Sequence, residues 1–177
     1  MLRHIIPART FANGYNEIVR RGSEPEMLMD FGIIRLNRGD TYTNHEALER
    51  VLLLVQGAVT LEYTGQTKTI ERENCFDVAP WVLSLPACAE LKITATADNT
   101  ELTYNATENE KPFPPRLYAP EETADEYRGA GTMNETSTRI VRTTFNYANA
   151  PHSNFVIGEV IGFPGKWSSY PPHHHPQ

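Results

Sequence analysis

Two of the three histidines near the end of the sequence, His173 and His175, have the spacing of a metal-ligand pair. In an extended segment, residues two apart project to the same side. Both imidazoles can therefore face one ion while His174 points away. Neutral imidazole suits zinc, manganese, iron or nickel, and two further ligands complete the usual shell. None stands between His175 and Gln177. The same residues are compatible with a solvated histidine-rich tail or the stump of an affinity tag, although Pro176 and Gln177 follow. Pro171 and Pro172 enforce an extended backbone just before the pair. Ser168, Ser169 and Tyr170 stand where they can orient ligands, line a pocket or shape a turn. Trp167 can floor a sugar site or fill a core.

The elements that would hold such a site are strands. From 58 to 64, Val59, Leu61 and Tyr63 alternate with Thr60, Glu62 and Thr64, the period of two of a half-buried strand. Leu91, Ile93, Ala95 and Ala97 repeat the pattern against Lys92, Thr94 and Thr96. Continuous apolar runs predict more fully buried strands at 27–36, 51–55, 76–79, 82–85, 140–145 and 155–163. Gly57 and Gly65 are expected between strands, where positive φ is useful. Short strands joined by tight turns indicate a sandwich or small barrel rather than a βαβ fold.

Residues 105–135 break the pattern with Lys111-Pro112-Phe113-Pro114-Pro115, then Pro120, then Glu121, Glu122, Asp125 and Glu126, ending at Gly129-Ala130-Gly131. Prolines remove backbone donors, so no central strand runs here. A connector between two β units is expected, with a short helix over 121–127 behind Pro120. The units are 1–105, 106–138 as connector, and 139–177. The last is short for a closed barrel and would leave open edges. The expectation is a chain that continues beyond Gln177, or one completed by a partner copy.

Composition bounds the partners. At 177 residues the chain can bury a core without disulfides. Its two cysteines, Cys75 and Cys88, lack CxxC spacing and are expected as reduced, small core residues. No run approaches the roughly 20 apolar residues of a membrane helix, and the N-terminus is too interrupted for a signal peptide. A soluble, cytoplasmic protein is the expectation. A net charge of −6 with scattered Lys and Arg argues against nucleic acid and leaves a small molecule as the partner.

The segment Gly165-Lys166-Trp167-Ser168-Ser169-Tyr170-Pro171-Pro172-His173-His174-His175 is very similar to the signature of the 5-deoxyglucuronate isomerase family, which includes 5-keto-4-deoxyuronate isomerase. Glu126-Tyr127-Arg128-Gly129 resembles that family's Arg-Gly motif. Arg139-Ile140-Val141-Arg142 falls where its second unit begins. The resemblance implies an all-β bicupin, a pair of jelly-roll barrels with the second one incomplete here. It also implies a metal-dependent aldose-ketose isomerase of a deoxy-uronic acid, converting 5-deoxyglucuronate to 5-dehydro-2-deoxygluconate in myo-inositol catabolism.

His173 and His175 match its first two metal ligands, with zinc or manganese as the expected ion. Its remaining Glu and His ligands lie C-terminal to the motif. Arg128 and Arg142 are candidates for the substrate carboxylate, which a guanidinium grips with two parallel bonds; a surface or interunit ion pair is the alternative for each. Tyr170 is a further substrate candidate, and no base can be named. In the first unit, His45 has Glu46 and Glu49 nearby, but Ala47 stands where a cupin metal motif wants a second histidine, and Ala87-Cys88-Ala89 where it wants a later one. A cupin without its metal site is expected there, with His4 and His152 structural or exposed. A competing reading is a non-catalytic cupin-like binding or assembly protein, and another is an isomerase of a different sugar acid on the same scaffold. Open sheet edges make a homo-oligomer an expected state.

Overall fold

The computed structural model describes residues 10–23 and 27–169. Its strands are β1 (Gly14–Val19), β2 (Met29–Leu36), β3 (Thr41–Asn44), β4 (Glu49–Tyr63), β5 (Gln66–Arg72), β6 (Val82–Leu85), β7 (Leu91–Ala95), β8 (Thr100–Thr107), β9 (Arg116–Tyr118), β10 (Asp125–Arg128), β11 (Arg139–Phe145) and β12 (Ile157–Gly162). The architecture is all-β, as expected. No helix among the described residues is long and apolar enough to cross a membrane.

Strand β4 organises the first unit. Its first half lies between β8 and β6 in a sheet ordered β1-β2-β8-β4-β6-β9. Its second half pairs β5 and β7 in the facing sheet, whose far edge is β3. The strand changes sheets at a register shift between Leu54 and Gln56, followed by Gly57 at φ +95°. A Cβ on Gly57 would lie 2.7 Å from the Thr100 Cα, so only glycine lets the strand turn this corner against β8. The expected strands 51–55 and 58–64 are thus one bent strand, and Gly57 lies inside it rather than between two. Gly65 does occupy a turn. Thr64 and Gly65 take φ 45° and 79° in a two-residue hairpin loop joining Tyr63 to Gln66.

The unbroken apolar run at 51–55 follows from burial on both faces. Leu52 and Leu54 enter the core between the sheets with Ile34, Leu36, Leu61, Leu83, Leu85, Leu91, Ile93 and Leu102. Val51 and Leu53 point the other way and pack with Val82, Tyr118, Phe145, Phe155 and Ile157. Each such side chain contributes on the order of 1.5–3 kcal/mol on burial. The second cluster joins the first unit to a three-stranded antiparallel sheet, β10-β11-β12.

Three local expectations need correction. Residues 76–79 form a turn, not a strand: the Asn74 side-chain oxygen accepts the Phe76 and Asp77 backbone N–H groups at 2.9 Å each, leaving Phe76 exposed. The strand that precedes it, β5, was hidden by its polar composition. The helix expected over 121–127 is a single 3-10 turn, Pro120–Glu122, followed by β10. Pairing with β11 outweighs the helix-start signals, because it sets Asp125 opposite Arg142. Finally, Cys88 is exposed in a turn at φ 62°, and only Cys75 is partly covered.

Candidate functional site

The sheet that leads to the histidine pair has two chemically distinct faces. Directly opposed residues share a face, so Asp125, Arg142 and Glu159 form one row across β10, β11 and β12. This row is turned toward the first unit. Arg142 is buried, and its Nε donates to Asp125 Oδ1 at 2.6 Å while Nη1 donates to Glu159 Oε1 at 2.9 Å. Its remaining donors reach the carbonyls of Cys75 and Phe76 and the second Asp125 oxygen. Every N–H of this guanidinium is engaged within the protein, which fits the interunit ion pair rather than a grip on substrate. Its pKa is held above the usual value, chiefly by the Asp125 hydrogen bond.

Arg128 belongs to the other face. It lies two residues from Glu126, which is opposed to Val141 and Val160. Its Nε and Nη2 bind the Glu126 carboxylate at 2.9 and 3.1 Å in an exposed, two-pronged pair. That pairing lowers the Glu126 pKa and raises that of Arg128. Arg128 and Arg142 therefore cannot hold one carboxylate together, since a sheet separates them. After β12 the chain turns at Gly165, φ 74°, and the Trp167 N–H donates to the Thr136 carbonyl at 2.9 Å. The approach to the histidines is thereby tied to the loop after β10. The Trp167 side chain is exposed, not core. Tyr170, His173 and His175 lie outside the described residues, as does His4. Among the described residues, no group of three or more His, Cys, Asp or Glu could hold a metal ion.

In the first unit, His45, Glu46 and Glu49 point to three different places. His45 is exposed beside the Glu62–Lys92 ion pair on a shallow concavity. Glu46 accepts the Tyr104 hydroxyl at 2.6 Å. Glu49 is fully buried on the opposite face of the sheet, where it accepts from the Ser153 hydroxyl, the Asn154 N–H and the Asn109 amide. His152 stacks at 4.6 Å on Phe113 beside that network.

The family model described as KduI/IolB matches residues 4–177. The chain belongs to the KduI/IolB family. Among relatives, this KduI/IolB chain is 31% identical over 187 aligned positions to a 5-deoxy-glucuronate isomerase of Geobacillus kaustophilus, covering all of this chain and 64% of that protein. It is 29% identical over 156 positions to the 5-deoxy-glucuronate isomerase of Bacillus subtilis, covering 84% of this chain and 55% of the other. The chain thus spans between about half and two thirds of the length of these relatives. Its fold matches that of an IolB-like protein from Salmonella typhimurium with a TM-score of 0.65 at 24% identity, over 78% of this chain and 52% of that one.

For this KduI/IolB chain the sequence did not reveal the partners that engage Arg142. Asp125 read as one of an acidic cluster and Glu159 as part of an apolar run, while Arg72, which shares Glu159 with Arg142, was not singled out. The one available signal was Arg72 itself, which takes a buried place in a polar strand. The tyrosines around Glu46 were also missed, because Tyr15, Tyr42 and Tyr104 are far apart in sequence.

Proposed function

We propose that this KduI/IolB family chain carries part of a metal-dependent aldose-ketose isomerase of a deoxy-uronic acid, with 5-deoxyglucuronate to 5-dehydro-2-deoxygluconate as the favoured reaction. One observation carries the reading: the whole chain, through the His173–His175 motif, aligns at 31% identity with a relative bearing that isomerase name. A cytoplasmic place in inositol breakdown is part of the same proposal.

The division at 105 and 138 is part of the proposal, with residues 139–177 opening a second barrel. His173 and His175 would hold the ion, zinc or manganese by their donor chemistry. When bound, the metal supplies Lewis-acid polarisation of the oxygens on the two carbons that exchange hydrogen. The chain's own described residues do the positioning. Arg142 and its carboxylates lock the sheet against the first unit, and the Trp167–Thr136 hydrogen bond ties the segment that enters the site. Arg128, on the free face, is the arginine left to meet a substrate carboxylate, by exchanging Glu126 for it.

The test uses protein extending past Gln177. Turnover of 5-deoxyglucuronate, followed by NMR of the product, supports the reading when His173→Ala and His175→Ala each abolish it together with bound metal. Full metal content in both variants, or no turnover in a metal-loaded parent, refutes it.

A further inference from the structure

The first unit has a polar centre of its own. A cavity of about 740 Å³ opens at one end of its two sheets, lined by Tyr15, Tyr42, Tyr104 and Glu46. The three rings pack edge to face or tilted, at 5.3 to 6.4 Å between centroids. Two of the hydroxyls are gathered by one side chain. The Asn44 amide donates to the hydroxyls of Tyr42 at 3.2 Å and Tyr104 at 3.3 Å, and the Tyr104 O–H donates to Glu46 Oε2 at 2.6 Å. Asn44 is itself fixed, because the buried Arg50 donates to its oxygen at 2.7 Å and is anchored on the Pro86 and Ala89 carbonyls. Gly32 completes the arrangement. A Cβ there would lie 2.4 Å from the Tyr15 ring, so the missing side chain is what lets Tyr15 lie over the mouth.

The bonding left over at this mouth is specific. Among the described residues, the Tyr15 and Tyr42 O–H groups meet no acceptor, and Glu46 Oε1 meets no donor. Arg21, on the same cavity, lies beside Glu108, its Nε 3.5 Å from Glu108 Oε1. Interleaved donors and acceptors beside flat aromatic surface match a molecule that offers several adjacent hydroxyls. Charge narrows the class further. Glu17, Asp30, Glu46 and Glu108 outnumber Arg20 and Arg21 around the opening, which opposes a carboxylate ligand.

We propose that the open end of the first unit is a binding site for a neutral polyhydroxylated molecule, a sugar or polyol, held by Tyr15, Tyr42 and Glu46. This proposal does not depend on the isomerase reading. The Glu46 carboxylate accepts from two adjacent hydroxyls, the tyrosine hydroxyls donate to ligand oxygens, and the rings cover one face of the carbon skeleton.

The test is an amide NMR titration of the chain with D-glucose, D-glucuronate and tetramethylammonium in turn. D-glucose is expected to shift the Asn44 side-chain amide and the backbone amides of Tyr15, Tyr42 and Glu46 saturably. Glu46→Gln and Tyr42→Phe, which keep side-chain volume and therefore the fold, should each weaken that binding about tenfold. His173→Ala should leave it unchanged, so failure of the isomerase reading does not touch this result. The proposal is overturned if glucose leaves these resonances unmoved, if both variants bind like the parent, or if glucuronate or tetramethylammonium saturates them at lower concentration than glucose.

Discussion

Glu159 stands between two buried arginines: its Oε1 accepts from Arg72 Nη2 at 2.5 Å and from Arg142 Nη1 at 2.9 Å. Arg72 ends β5 in the first unit, Arg142 lies on β11 in the second sheet, and both side chains are almost wholly covered. With Asp125 on the far side of Arg142, the two positive and two negative charges balance.

Removing one carboxylate breaks that balance where water cannot restore it. Glu159→Ala should cost about 3–5 kcal/mol, the range for a buried charge stripped of its partner. Denaturant unfolding measures it, and a loss below about 1 kcal/mol would mean the pair is screened like a surface one.

Gly57 is expected to be nearly irreplaceable. Alanine there meets Thr100 Oγ1 at 2.4 Å and the Thr100 Cα at 2.7 Å, at a φ that L residues avoid. Gly57→Ala should destabilise by about 2 kcal/mol or more, from strain together with the displaced β8 contact. Gly14→Ala, also at positive φ but with nothing within 4 Å of the added carbon, should cost less in the same assay.

Alkaline stability should depend on Tyr15. Burial, followed by the nearby Tyr42 and carboxylates, pushes its pKa up to about 12 from 10.0. The unfolded phenol therefore loses its proton first. Stability from the protonated form is complete below pH 10 and declines as pH rises toward 12. The phenolate absorbance should titrate late for Tyr15, with Tyr42 and Tyr104 also raised by burial. Tyr15→Phe should remove one of these late transitions and flatten the alkaline loss of stability; an unchanged titration curve would refute the assignment.

Metal removal should be visible without an activity assay. For protein extending past Gln177, EDTA is expected to lower the melting temperature, since an ion that binds only the folded state adds stability by mass action. His175→Ala should melt at the chelated temperature with or without metal. A variant that still responds to EDTA would place the ion elsewhere.

Two periodicities made much of the fold legible before any coordinates. Alternation at 58–64 and 90–97 identified β strands because a strand half exposed to water sorts its side chains by face. The run at 51–55 was legible as a strand buried on both sides for the complementary reason. The His173–His175 motif and its surroundings were specific enough to indicate the KduI/IolB family.

Other features depended on distance in space. The polar strand β5 carries little apolar signal, since its other face is bathed in water, and only its pairing with β4 defines it. Whether Arg142 meets a substrate or a carboxylate cannot be read along the chain. Its partners come from β10, β12 and the turn at 75–78, and Coulomb attraction acts on separation in space, not in sequence. The sequence by itself determined the all-β architecture and the family, through local periodicity and one contiguous motif. Tertiary structure alone decided which charges are spent holding the two units together, and which hydroxyls at the mouth of the first remain free to bind.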